Sequence, residues 1–215
     1  MEIFANYYQY FLRGTRTTIL ISLITVFCGF LLGCVIALLR LSKNRILNGF
    51  AKLYITVLRG TPLILQIFAI YFILPRLLGH PFDRMASAVV AFVINYAAYF
   101  AEIFRGGLQS IPRGQREAGK ALGFSRVQIF FRILLPQLFK RSLLPVSNEV
   151  VTLVKDTALV TCIALCDMYY YAKKATSATG SLLPLFLAGA FYLLMNTVVE
   201  VVFDRLNKRM DYYRG

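Results

Sequence analysis

The chain has 215 residues, 58% of them hydrophobic, and a formal net charge of +14 from 24 Lys and Arg against 10 Asp and Glu. Apolar runs too long for a soluble core helix exclude an ordinary water-soluble enzyme and point to a polytopic membrane protein. The positive charge does not call for nucleic acid, because it gathers in segments where anionic lipid headgroups are sufficient partners.

Residues 17–39, TTILISLITVFCGFLLGCVIALL, carry no charge and, at about 1.5 Å per residue, cross a hydrocarbon core of roughly 30 Å. Within this span Gly29 and Gly33 form a small-xxx-small pattern that lets a second backbone come close. Leu31-Leu32-Gly33-Cys34 looks like a lipoprotein cleavage box, but it lies late in a long span and further spans follow, so span 1 is expected to be retained. Four more spans are expected over Pro62 to Leu78, Met85 to Phe104, Leu143 to Cys166 and Leu182 to Phe203. The expected fold is an all-α membrane protein of about five transmembrane helices, a single domain over 1–215.

Six Lys and Arg fall in the segments before span 1, at 76–84 and at 168–181, whereas seventeen fall in 40–59, 105–141 and 205–214. Cytoplasmic loops hold the positive excess, which predicts an outside N-terminus and a cytoplasmic C-terminus. The 40–59 segment then reads as a loop, and Arg59, before Gly60-Thr61-Pro62, marks the cytoplasmic edge of span 2.

Charges inside spans are costly. Asn95, Tyr99 and Glu102 in span 3 are spaced to share one helix face, as are Glu149, Thr152 and Asp156 in span 4. Two polar stripes predict a hydrophilic lining built from Asn95, Tyr99, Glu102, Glu149, Asp156 and Thr157, whose carboxylates attract a cationic or zwitterionic solute. The alternative is structural: Lys155 neutralising Glu149 or Asp156, and Glu102 resting beside Arg105. The four Cys and the lone His80 supply no metal framework, and no nucleophile-base pair suggests catalysis.

Between spans 3 and 4 the chain has a helix-turn-helix grammar. Gln115 to Leu122 reads helical, Gly123 suits a left-handed C-terminal cap, and Ser125 with Gln128 forms a capping box ahead of an apolar run that reaches Pro136. Gly114 to Lys120 matches the start of a phosphate-binding loop, but Ala121 replaces the Ser or Thr that holds magnesium. The second helix is too rich in Phe, Ile and Leu for a DNA groove.

The spacing of Glu117-Ala118-Gly119, Gly123, Ile133 and Leu135-Pro136 resembles the EAA loop of ABC importer permeases, with Gly119 in place of the third-position alanine. Arg59-Gly60-Thr61-Pro62, the stretch AYFAEIFRGG at 98–107 and LVKDTAL at 153–159 are similar to the polar amino-acid uptake branch. The resemblance implies a type I importer fold in a bacterial or archaeal cytoplasmic membrane. It implies a second permease subunit, identical or related, two cytoplasmic subunits that bind ATP and Mg, and an extracellular or periplasmic amino-acid-binding protein. Residues 112–136 are then the cytoplasmic coupling loop, and the chain itself holds no cofactor. The expected function is ATP-driven, alternating-access import of polar amino acids, of cationic ones (arginine, lysine or histidine) if the span carboxylates set the charge. The rivals are a secondary transporter or channel and a non-transporting scaffold.

Overall fold

In the computed structural model, residues 2–210 are described, and they are helical nearly throughout, with no strand among them. Helix α1 (Glu2–Arg40) is followed by α2 (Arg45–Gly60), α3 (Leu63–Phe68), α4 (Leu74–Leu78) and α5 (Arg84–Gln109). Then come α6 (Arg113–Ala121), α7 (Arg126–Gln128), α8 (Leu135–Asp156), α9 (Met168–Thr179) and α10 (Leu183–Arg209). Side-chain acceptors start several of them: Asn44, Asp83 and Asp167 each accept a backbone N–H in the first turn of α2, α5 and α9.

Two π-helical stretches, Ala69–Ile73 and Ile129–Leu134, join α3 to α4 and α7 to α8. Each lies just before a proline, Pro75 or Pro136. Proline lacks an N–H and its ring crowds the carbonyl one turn earlier, so a widened turn lets the helix run on where an α-turn would break it.

The core is the packing of α1 on α5. Phe92, Tyr96, Phe100 and Phe104 follow one another along the same face of α5, and the Phe30 ring meets Phe104 edge-on at 4.9 Å. Gly33 permits the approach, since a Cβ there would stand 2.7 Å from Phe100 Cβ and 3.1 Å from the Ala97 carbonyl oxygen. The expected small-residue contact is thus a backbone-to-backbone seam. A second cluster joins α1 to α9 and α10 through Phe11, Met168, Ala172 and Ala188.

Among the described residues three helices are long and apolar enough to cross a membrane, those over Tyr8–Arg40, Arg84–Gln109 and Leu183–Arg209, and the pair Arg45–Gly60 with Leu63–Leu78, bent by 108°, counts as a fourth if taken as one span. The remaining expected span differs in its limits. Helix α8 begins at Leu135 and ends at Asp156, a 3-10 turn covers Thr157–Ile163, and Ala164 takes a left-handed conformation at φ 53°. Hydropathy stays high across this break, so the sequence reads Leu143 to Cys166 as one run.

Two expected loops are helices. The charged 40–59 segment forms α2, amphipathic, with Ala51 and Ile55 buried and Lys52, Thr56 and Arg59 outward. Its charge density disguises a helix that packs on α1 and α5. The 168–181 segment holds α9, capped by Asp167, whose carboxylate is wholly buried and accepts from Thr161 Oγ1 at 3.0 Å, the Tyr170 N–H at 2.8 Å and the Tyr192 hydroxyl at 3.1 Å.

Candidate functional site

The bend after Gly60 leaves the last carbonyls of α2 without helical partners. Two amides answer them. Gln66 Nε2 donates to the Leu58 carbonyl at 2.9 Å and to Thr61 Oγ1 at 2.8 Å, while Asn95 Nδ2 donates to the same Leu58 carbonyl at 3.0 Å and to Gln66 Oε1 at 2.9 Å. The Tyr54 hydroxyl adds a bond to the Ile94 carbonyl at 2.6 Å. Asn95 is 4% exposed, so its amide fastens the corner and is turned away from solvent. Replacing Asn95 by alanine is expected to cost about 1–3 kcal/mol, since the buried Leu58 carbonyl and Gln66 Oε1 lose a donor. Thermal melting of purified protein checks this, and an unchanged midpoint would remove the corner from the account.

One helical turn further along α5 the polar side chains open outward. The Arg59 guanidinium lies 5.0 Å from the Tyr99 ring centroid, a cation–π contact. Arg105 Nε donates to Glu102 Oε1 at 2.8 Å, and its Nη2 makes a second bond to the same oxygen. A cavity of about 230 Å³ is lined by Arg40, Lys52, Ile55, Thr56, Arg59 and Glu102. The backbone before Arg59 is level with the middle of α5, because its neighbour Leu58 bonds Asn95, and its guanidinium reaches on to Tyr99.

On α8, Asp156 Oδ2 accepts from the Tyr96 hydroxyl at 2.7 Å, and Glu149, earlier on the same helix, is half-buried. Lys155 is exposed and makes no ion pair among the described residues. Thr157 is fully buried, its hydroxyl bonded to the Val154 carbonyl at 2.7 Å. The structure therefore brings Tyr99 and Glu102 to Arg59, ties Asp156 to Tyr96, leaves Glu149 half-buried on α8, and packs Asn95 and Thr157 into the protein. Arg59, Lys52 and Thr56 were missed as site residues. Their spacing of three and four is the same signal read in spans 3 and 4, hidden here by the loop assignment.

The 112–136 segment stands apart from the spans. Gly123 has φ +77°, its N–H bonds to the Lys120 carbonyl at 2.9 Å and the Phe124 N–H to the Gly119 carbonyl at 3.0 Å, the pair of bonds of a Schellman end. Ser125 Oγ accepts from the Gln128 N–H while Gln128 Oε1 accepts from the Ser125 N–H, a complete capping box. Glu117, Ala118 and Gly123 are exposed, as are Leu122 at 73% and Val127 at 66%, so these positions on α6 and its turn are left uncovered by the described residues. Only Gly119 of α6 is buried, seated against Ile129 and half-buried Ile133; Leu135 is exposed and Pro136 half-buried.

This seat explains the glycine in the motif. A Cβ at 119 would meet Ile133 Cδ1 at 2.8 Å and Ile129 Cγ1 at 2.9 Å. Alanine gains about 1 kcal/mol of helix propensity and spends a similar amount moving those side chains. Gly119→Ala is expected to leave the melting temperature nearly unchanged and Gly119→Leu to lower it, as a paired thermal scan would show.

Among the described residues no group of three or more His, Cys, Asp or Glu side chains is placed to hold a metal ion. Residues 9–212 match the profile of the family described as "Binding-protein-dependent transport system inner membrane component". The chain is 38% identical to the Arginine transport system permease protein ArtQ of Bacillus subtilis, over 94% of this chain and 92% of that protein. It is 33% identical to the L-cystine transport system permease protein TcyB of the same organism, over 93% and 86%, and 38% identical to the Octopine transport system permease protein OccM of Rhizobium radiobacter, over 91% and 83%. Among solved structures, an amino acid ABC transporter crystallised with histidines superposes with a TM-score of 0.87 at 30% identity, covering 95% of this chain and 96% of that one. The all-helical frame, the right-angled corner and the profile match over nearly the whole length agree, and the chain belongs to the binding-protein-dependent transport system inner membrane components, the ABC permeases.

Proposed function

We propose that this chain is the membrane-spanning subunit of an ATP-driven importer for polar amino acids in a bacterial or archaeal cytoplasmic membrane. It is a translocase component; hydrolysis, with ATP and Mg, belongs to two separate cytoplasmic subunits. A second permease subunit, identical or related, completes the path, and an extracellular or periplasmic binding protein delivers the cargo. The observation that carries this reading is the likeness, over nearly the full chain, to permeases named for arginine, cystine and octopine.

Helix α6 is the proposed coupling element of the cytoplasmic loop 112–136. Its exposed Glu117 and Ala118 and its tight turn at Gly123 fit the cleft of an ATPase, while Gly119 seats it on Ile129 and Ile133 of the stretch that runs through Leu135 and Pro136 into α8, so that movement of the docked partner reaches the spans. Tyr99, Glu102, Glu149 and Asp156 are the proposed lining of the solute route, with Asn95 and Thr157 supporting it from behind. Their carboxylates favour a cationic cargo such as arginine, lysine or histidine.

The test is co-purification from membranes followed by ATPase assay with a panel of amino acids. An ATPase subunit is expected with the wild type and lost from Glu117→Arg and Gly123→Arg, while both variants still insert, and the stimulating amino acid names the cargo. Absence of any ATPase partner, with solute movement driven by an ion gradient, would sink the importer in favour of a secondary carrier.

A further inference from the structure

The cavity beside α2 carries a charge that the carboxylate lining does not account for. Arg40, Lys52 and Arg59 all face it, with the Thr56 hydroxyl among them. The single acidic group on its wall, Glu102, is already bonded by Arg105. The cavity is therefore net positive, and its cations are held in place. Arg59 is fixed over Tyr99, and Arg40 is held by Asn48 Oδ1 at 2.7 Å.

The ordinary reading of basic residues in such a protein is a rim that meets lipid headgroups. Arg59 does not fit it. The end of α2 is bonded to Asn95, and the Arg59 guanidinium lies over Tyr99, ten residues before Gln109 at the end of α5, or roughly 15 Å along the axis. The guanidinium is exposed and has no carboxylate in ion-pair reach among the described residues, so it is open to take one from a ligand.

We propose that Arg59, with Lys52 and Arg40 beside it, is a carboxylate-receiving station on the solute route, and that it binds the α-carboxylate of an amino acid. This inference rests on the amino-acid reading above. A planar guanidinium matches a carboxylate with two parallel hydrogen bonds, and the Thr56 hydroxyl supplies a third donor. A station of this kind selects for the part common to all amino acids, whatever the side chain.

The measurement is direct calorimetric binding to the detergent-purified permease complex, without binding protein, of the tightest-binding standard amino acid and of its decarboxylated amine. In the wild type the acid is expected to bind about 10- to 100-fold tighter than the amine, as for one charge-assisted pair. Arg59→Gln is expected to erase that gap by weakening the acid, while the amine, which gains nothing from a guanidinium, binds no more weakly. Arg59→Lys keeps charge without the fork and is expected to restore part of the gap, and melting curves of each variant report folding. Equal weakening of acid and amine in a folded Arg59→Gln, no change in either, or failure of every amino acid to bind wild type overturns the station. Failure of the importer reading is seen separately, as the absence of a co-purified ATPase.

Discussion

Gly33→Leu is expected to remove most of the folded permease from membranes, whereas Gly29→Ala, one turn away, is expected to be tolerated. The two glycines sit in the same pattern but in different gaps. At Gly33 an added Cβ meets Phe100 Cβ at 2.7 Å, the Ala97 oxygen at 3.1 Å and the Ala101 nitrogen at 3.3 Å. These atoms are backbone or fixed to it, and they cannot turn aside. At Gly29 the nearest atom is a Phe100 ring carbon at 3.5 Å, an ordinary contact. Leucine at 33 forces α1 off α5 along the main seam of the core, a cost of about 3 kcal/mol or more. For a chain of this size that is a fall of roughly 6–12 °C in melting temperature. Fluorescence-detected size exclusion after heating reads it, and equal melting of the two variants would show that the seam is not what joins these helices.

A loss of similar size is expected at Asp167→Ala. The carboxylate binds together the 3-10 turn, α9 and α10, and its removal leaves the Thr161 hydroxyl, the Tyr170 N–H and the Tyr192 hydroxyl without their acceptor. Each unmet buried donor costs on the order of 1 kcal/mol or more, so the sum is about 3 kcal/mol. The double variant with Tyr192→Phe is expected to lose less than the two single losses added, because one donor disappears with its acceptor. Strict additivity in melting scans would mean that Tyr192 and Asp167 are not partners.

The same group gives a pH signature. Burial pushes the Asp167 carboxyl up from the usual aspartate range, against the opposing pull of the Tyr170 N–H and the Thr161 and Tyr192 hydroxyls. Between the unfolded value and this raised one, the folded chain holds more protons than the unfolded chain. Stability is therefore greatest below that window and falls as pH rises through it. Asp167→Asn, which cannot ionise, is expected to flatten the slope. A wild-type melting temperature that rises with pH over that range, with Asp167→Asn unchanged from wild type, would contradict the assignment.

Local chemistry made part of this structure legible in advance. Gly123 and the Ser125–Gln128 box specify their turn through a few bonds close in sequence, and both are present as read. The polar faces of α5 and α8 also follow from spacing alone, but spacing does not tell which members look outward. Asn95 and Tyr99 are one turn apart, yet the first closes a corner and the second meets Arg59. That difference arises from α2, and α2 was hidden because charge marks a segment as polar without saying whether it coils. The end of α8 was hidden for the opposite reason: Thr157–Ile163 is as apolar as the helix before it, and nothing in Ala164 announces a left-handed backbone.

The corner at Gly60–Pro62 bears on how such a protein can move. Four side-chain bonds involving Tyr54, Gln66 and Asn95 tie the end of α2 and the start of α3 to the middle of α5. Tilting α2 against α5 strips the two that cross between them, from Tyr54 and from Asn95, and the other two hold α3 to both. The bent pair and α5 must then travel as one rigid bracket, its two arms locked at a fixed angle. Between α5 and α8, at mid-depth, one hydrogen bond from Tyr96 to Asp156 acts as a latch. Any motion of the bracket against α8 has to break that bond and also part the Gly107 seat from Leu138 and Ser142.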